Sequence, residues 1–358
     1  MTLHAFLLHL AFAAALAGLS ASVVRVMIAA RVMDHPDARK VQRVPVPRGG
    51  GVGTVVAFLV GILVLYRYAE FSRLAEPYFR GVIFSALAIA LVSFVDDVRA
   101  LSARLRLATQ VGAACVTVAS GLWVDRYALP GLGVVDIGLW GIPTTLFFIV
   151  FVTNAMNFID GLNGLAAGTV IVACGFVSFI AAQQGGWFVY FAALLLAAGM
   201  AGFLPFNFPR ARIYLGDVGS QFAGFMLAVI GIAAARFERV ELSFLLVPLV
   251  LSGVLFDVAF TLARRALVGE RLLEAHNAHI YQIAYRSGMD ARLVALVHWG
   301  FAAFGGLCCV LFVAAAPAGK VPYALLPVLP QLLWLAYVAA RARRAGINWR
   351  MGASPPRT

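Results

Sequence analysis

The chain has 358 residues, of which 62% are hydrophobic and 12% charged, and its mean hydropathy is +0.91. A soluble domain is nearer half apolar and a quarter charged, so this composition excludes that class and marks a polytopic membrane protein. The net charge of +12 then points to basic loops on the cytoplasmic side of a bilayer, not to nucleic-acid binding.

Crossing the hydrocarbon core takes ~20 apolar residues. Eleven runs of that kind centre near Leu16, Phe58, Leu87, Cys115, Phe148, Ile171, Leu195, Leu227, Val250, Gly306 and Pro330. Residues 1–19 could pass for a signal peptide, but they lack a basic start and stay apolar to about Ala30, so they read as the first span. Short links near Gly185, Arg236 and Gly319 predict antiparallel hairpins. Cys115, Cys174, Cys308 and Cys309 lie inside apolar runs without CxxC spacing, as packing residues do. No linker or repeat interrupts the chain, which reads as one all-α integral-membrane domain over residues 1–358.

Twenty of the 28 Lys and Arg residues fall in the loops after spans one, three, five, seven and nine and in the basic tail, residues 341–358. Seven fall on the opposite side and Arg25 lies within span one. The basic set belongs in the cytoplasm. About eleven spans then put the N-terminus in the periplasm and the C-terminus in the cytoplasm.

Every dense polar motif falls on that basic side. Asp34-His35-Pro36-Asp37-Ala38-Arg39-Lys40 leads through Arg43 into Pro47-Arg48-Gly49-Gly50-Gly51. A glycine triplet at the start of a helix lets backbone N–H groups approach a phosphate. Asp96-Asp97 closes span three, where two carboxylates meet the negative end of a helix dipole and need a cation. Arg99 and Arg104 could supply it; so could a divalent ion, since Mg²⁺ is held by one or two carboxylates plus substrate phosphates.

Asn154, Asn157, Asp160 and Asn163 recur every three residues at the end of span five, a spacing that lines one side of a helical or 3₁₀ turn. A polar, glycine-broken segment at membrane depth must line a protein-walled cavity or the aqueous face. Asp217, in Gly216-Asp217-Val218-Gly219-Ser220, opens span eight either as an N-cap or as a metal ligand. The loop after span nine sets Arg264, Arg265, Arg271, Arg286 and Arg292 around His276 and His279. A zinc site there lacks a third ligand; diphosphate recognition suits the loop better. Asp257, two turns inside span nine, needs a partner, with Arg264 and Arg265 the nearest in sequence.

Taken together these blocks resemble the polyprenyl-phosphate N-acetylhexosamine-1-phosphate transferases. The resemblance runs through residues 34–53, Asp96-Asp97, Asn154-Ala155-Met156-Asn157-Phe158-Ile159-Asp160-Gly161, residues 207–220 and His276-Asn277-Ala278-His279-Ile280-Tyr281-Gln282. It implies loops at 31–53, 96–106, 154–168, 207–220 and 264–292 that carry the chemistry. The implied reaction moves a sugar-1-phosphate from a UDP-N-acetyl sugar to undecaprenyl phosphate at the cytoplasmic face and releases UMP. Mg²⁺ is required, with Mn²⁺ as a substitute.

By match, Asp217 is the principal metal ligand, and Asp96 and Asp97 bind metal or activate the acceptor phosphate. Asn157 and Asp160 line the catalytic centre. Arg43, Asn163, Asn207 and Tyr214 fall where the family holds uridine; Arg48 joins them as a substrate residue, and His276 and His279 match the loop that meets the donor diphosphate and sugar. Two departures matter. Ala100 stands where many relatives carry a third Asp, so that position cannot ligate metal. The last loop lacks the adjacent His of the peptidoglycan branch, which, with eleven spans, favours an initiator of O-antigen or another surface polysaccharide, with the sugar left open and oligomeric state too, a homodimer included. An ion-coupled transporter also breaks helices with carboxylates, but it needs them near the midplane.

Overall fold

The computed structural model describes residues 2–34, 45–68, 77–236, 242–271, 276–347 and 349. It is an α-helical bundle. In chain order α1 is Leu3–Ala30, α2 Gly51–Tyr68, α3 Pro77–Arg99, α4 Ala103–Ala119, α5 Gly141–Ile159, α6 Leu165–Gln184 and α7 Trp187–Asn207. Then come α8 Gly216–Arg236, α9 Leu246–Val250, α10 Ser252–Leu267, α11 Ile280–Arg286, α12 Ala291–Ala314, α13 Lys320–Leu325 and α14 Val328–Arg344. Two antiparallel two-stranded ribbons, Met33–Asp34 with Val46–Pro47 and Arg126–Leu129 with Gly133–Asp136, sit between helices.

All eleven apolar runs are helical, and among the described residues nine helices are long and apolar enough to cross a membrane. The other two runs depart from a simple span. The run centred on Cys115 yields the 17-residue α4, because Arg104 and Arg106 occupy its first turn. The run centred on Val250 breaks at Leu251 into α9 and α10. Pro248 lies in the first turn of α9, where a missing N–H is tolerated, and the break is followed by Ser252-Gly253, a small pair of the kind found at helix kinks.

The bundle is built around α8, whose apolar window is 94% buried while that of α1 is 17% buried. Helices α2, α3, α5 and α7 pack on α8. Between helices in lipid the association rests on close packing of small residues. Accordingly, a Cβ on Gly51 would collide with the backbone of Gly219, and one on Gly224 with Val152 and Thr153. Because α8 is enclosed on every side, whatever its N-terminus carries is placed by four other helices.

Candidate active site

The end of α3 and the start of α8 meet head to head. The Asp97 carboxylate accepts the backbone N–H groups of Asp217 at 3.0 Å and Val218 at 3.2 Å. It therefore caps α8 from another helix, satisfying two of the donors that every helix start leaves open. Asp217 itself is thus not the N-cap. Gly216 sits at φ +77°, and a Cβ there would collide with the Asp97 carboxylate. Arg48 reaches the same aspartate, 3.1 Å to its carbonyl and 3.5 Å to Oδ1.

The glycine triplet does a different job from the one its composition suggests. Gly50 and Gly51 donate their N–H groups to the carbonyls of Tyr214 and Leu215, at 2.9 and 2.8 Å. Those amides are spent on the α8 approach segment and are not offered to a phosphate. The glycines are needed for proximity, since side chains there would meet Phe203 and Gly219.

Asp217, one residue into α8, is the hub. Its Oδ1 accepts from the Asn157 amide at 3.1 Å. Its Oδ2 accepts from Gln221 at 3.1 Å and from Arg106 at 3.2 Å. Arg106 lies 3.3 Å from Asp96 as well, so one guanidinium bridges the Asp96 and Asp217 carboxylates. The cations beside the acidic pair are thus Arg106 and Arg48, whereas Arg99 and Arg104 are exposed. Helix α4 begins at Ala103, and its register turns residue 106 inward and 104 out. Asn157 also donates to Ser220 at 3.0 Å, which fixes α5 against α8. Ala100 is a left-handed residue at φ 49° that ends α3.

Asp160 ends α5 as its C-cap. Burial, then the Asp217 and Asp97 carboxylates, push its carboxyl well above the usual carboxylate range. Asn154 and Asn157 lie on α5, while Asn163 stands half-buried in the turn that follows. Asn207 pins that turn: its Oδ1 accepts from Gly164 N–H at 2.6 Å and its amide donates to the Ile213 carbonyl at 2.9 Å. Trp299 donates to the Gly164 carbonyl at 3.0 Å. Tyr214 is half-buried, held through its backbone by Pro47 and Gly50. Arg43, with the rest of residues 35–44, lies outside the described residues.

The last loop is organised by Asp257. Its carboxylate accepts from the N–H groups of Ile280 and Tyr281 at 3.0 and 2.9 Å and pairs with His279 Nδ1 at 3.0 Å. The arginines near it in sequence are not its partners; Arg265 pairs with Glu270 at 2.9 Å. The Tyr281 hydroxyl donates to the Phe158 carbonyl at 2.9 Å, tying this loop to the end of α5. Burial, with the Asp257 and Asp160 carboxylates, pushes that phenol up. The His276 and His279 rings lie tilted against each other with centres 4.8 Å apart. Burial, followed by His279, Arg265 and Arg264, pushes the His276 imidazole down to about 3.

Among the described residues, no three His, Cys, Asp or Glu side chains form a metal cage of their own. The donor set instead suits an ion that keeps part of its shell for a substrate: two facing carboxylates, Asp96 and Asp217, with Asp97 turned away to the α8 amides. Mg²⁺ is bound in that way, through one or two carboxylates plus phosphates. A carboxylate has about four lone-pair directions, and three donors to Asp217 leave about one for a cation.

The glycosyl transferase family 4 profile matches residues 79–235. A "Probable undecaprenyl-phosphate N-acetylglucosaminyl 1-phosphate transferase" of Bacillus subtilis is 31% identical over 277 residues, covering 77% of this chain and 75% of the relative. A "Decaprenyl-phosphate N-acetylglucosaminephosphotransferase" of Mycobacterium tuberculosis is 31% identical over 335 residues, 83% of each chain. A "Phospho-N-acetylmuramoyl-pentapeptide-transferase" of Streptococcus thermophilus is 29% identical over 215 residues, 56% of this chain and 61% of the relative. With one such relative matched over more than four-fifths of its length, the chain belongs to glycosyl transferase family 4 and is a membrane-embedded polyprenyl-phosphate sugar-1-phosphate transferase.

Proposed function

We propose that the enzyme transfers N-acetylhexosamine-1-phosphate from a UDP-sugar to undecaprenyl phosphate at the cytoplasmic face of the inner membrane, releasing UMP. The product is the lipid-diphosphate sugar that starts O-antigen or another surface polysaccharide. One observation carries the reading: Asp96 and Asp97 at the end of α3 meet Asp217 at the start of α8, with Asp160 at the end of α5 close enough to feel two of them. Phosphoryl transfer asks chiefly for positioning and charge neutralisation. A buried acidic cluster flanked by Arg48 and Arg106 suits a substrate that arrives with phosphates and a divalent ion.

In this reading Asp217 and Asp96 hold Mg²⁺, with Mn²⁺ able to replace it. When bound, the ion neutralises the donor's diphosphate and eases the departure of UMP. Asn157 orients Asp217. Asp97 fixes the start of α8 and so the position of that carboxylate. Asp160, at the end of α5, lines the same centre beside Asp217 and Asp97. The acceptor phosphate already carries charge and attacks directly, its polyprenyl tail remaining in lipid.

The test is to incubate purified protein with Mg²⁺, undecaprenyl phosphate and a panel of radiolabelled UDP-N-acetyl sugars, following UMP and labelled lipid. One sugar should label the lipid one-for-one with UMP, chelation should stop it, and Asp217→Asn should abolish it in a protein of unchanged melting temperature. Full activity in Asp217→Asn, or no transfer from any sugar while a related enzyme works alongside, overturns the reading.

A further inference from the structure

Two glutamines that lie inside apolar runs join Asp217 to the interior of the bundle. Gln110 on α4 and Gln221 on α8 are each 3% exposed. The Asn154 amide donates to Gln110 Oε1 at 2.5 Å, and the Gln110 amide donates to Gln221 Oε1 at 2.9 Å. The Gln221 amide then donates to Asp217 Oδ2 at 3.1 Å. Asn154 is itself anchored on the Val150 carbonyl at 2.8 Å.

The direction of this chain is dictated by its last member. An ionised carboxylate only accepts, so Gln221 must turn its NH₂ toward Asp217 and its oxygen toward α4. Gln110 must then present NH₂ to that oxygen and keep its own oxygen for Asn154. Burying amides among apolar helices is costly unless they are bonded, and each of these is. Nothing in the packing alone requires that three helices meet through amides at this spot.

We propose that Gln110 and Gln221 are positioning residues for Asp217, forming with Asn154 a one-way amide chain that holds the carboxylate in the orientation a divalent cation needs. The inference rests on Asp217 being the ligand of that cation. Groups that sit behind a metal ligand and orient it commonly matter as much as this, ~10–100-fold in affinity or activity when removed.

The probe is Mn²⁺ itself, titrated by electron paramagnetic resonance into purified full-length protein, alongside kcat, KM and thermal melting. The variants are Gln110→Met and Gln221→Met, which keep shape and remove the amide, and Gln110→Glu, which reverses the chain. Facing a carboxylate, Gln221 would turn its NH₂ to α4 and its oxygen onto Asp217. Gln331 on α14, equally buried but bonded to Ser252 and not to the amide chain, supplies the control Gln331→Met. The expected result is a Mn²⁺ Kd raised by ~10-fold or more in both amide-deleting variants, and further in Gln110→Glu. Turnover should fall in step, with KM for the UDP-sugar and the control variant unchanged.

If Gln110→Met and Gln221→Met merely melt earlier and bind Mn²⁺ as the parent does, the amides are packing groups and the proposal is wrong. Should Gln110→Glu not fold, the two Met variants decide. If Asp217→Asn binds Mn²⁺ as tightly as the parent, Asp217 is not the ligand and the inference falls with it. If the parent binds Mn²⁺ through Asp217 but transfers no sugar, only the assigned reaction fails and the amide chain still stands or falls on its own titration.

Discussion

The Asp97 carboxylate accepts the Asp217 backbone N–H at 3.0 Å, although the two residues are 120 positions apart. Asp97 therefore works on the backbone of another helix, while its neighbour Asp96 accepts the Leu101 N–H on Oδ1 and keeps Oδ2 toward Arg106. Asp97→Asn keeps the shape but replaces one of the two accepting oxygens by an NH₂, so one of the two N–H groups faces a donor. A lost helix cap costs about 0.5–2 kcal/mol, so the variant should melt a few degrees lower. Turnover should fall by far more than that loss of stability explains, on the order of 100-fold or more, because Asp217 is placed by the same bonds. Asp97→Glu, one methylene longer, should recover stability before activity. Activity that tracks melting temperature across both variants would argue against a placing role.

Gly216 carries the second prediction. Its φ of +77° and the carboxylate against its α-carbon leave no room for a side chain. The left-handed conformation alone costs an Ala about 1–2 kcal/mol, and the displaced Asp97 adds the lost cap. Gly216→Ala should therefore resemble Asp97→Asn in both melting and turnover. The double variant should be little worse than either single one, since both break the same contact. Additive losses in that double-mutant cycle would mean the contact does not couple them.

How much of this was legible in the chain depends on whether a residue's partner lies near it in sequence. Asp96, Asp97, Asn157 and Asp217 stand out because carboxylates and amides at the ends of apolar runs are costly to bury unless something binds them. Gln110 and Gln221 do not, since a lone Gln inside an apolar run looks the same whether it faces lipid, a neighbour or a site. Arg106 is hidden among three basic residues of one loop, and only the register of α4 separates it from Arg104. The glycine triplet is conspicuous, yet its purpose is decided by Tyr214 and Leu215, which composition cannot pair with it. The break at Leu251 shows the same limit: Ser252-Gly253 is visible, but a bend depends on how α12 packs there through Phe301 and Gly305.

Asp257 shows most clearly how nearness in sequence misleads, and it supplies the third prediction. The arginines one or two turns away suggest an ion pair, but the carboxylate binds His279 and the N–H groups of Ile280 and Tyr281. Removing it leaves two buried donors and an imidazole without their acceptor, at about 1–3 kcal/mol for each group stranded. Asp257→Leu should express poorly and melt much earlier. Asp257→Asn, which retains one acceptor oxygen, should fold with reduced turnover because Tyr281 anchors the Phe158 carbonyl beside Asp160. A fully active, fully stable Asp257→Leu would remove this account of the loop.

The fourth prediction concerns acid sensitivity. The imidazole of His276 is pushed from 6.5 down to about 3, first by burial and then by His279, Arg265 and Arg264, with Asp257 opposing weakly. In the unfolded chain it takes up a proton near 6.5; in the folded one it resists doing so. Stability is then fully present above that value and declines as pH falls from about 6.5 toward about 3. The melting temperature should drop on acidification from about pH 7 to about pH 5. In His276→Gln, which removes the titrating ring and keeps a polar side chain, the same drop should be smaller. An identical pH dependence in the two proteins would show that His276 is solvated and titrates normally, and that the loop around Asp257 is more open than its hydrogen bonds imply.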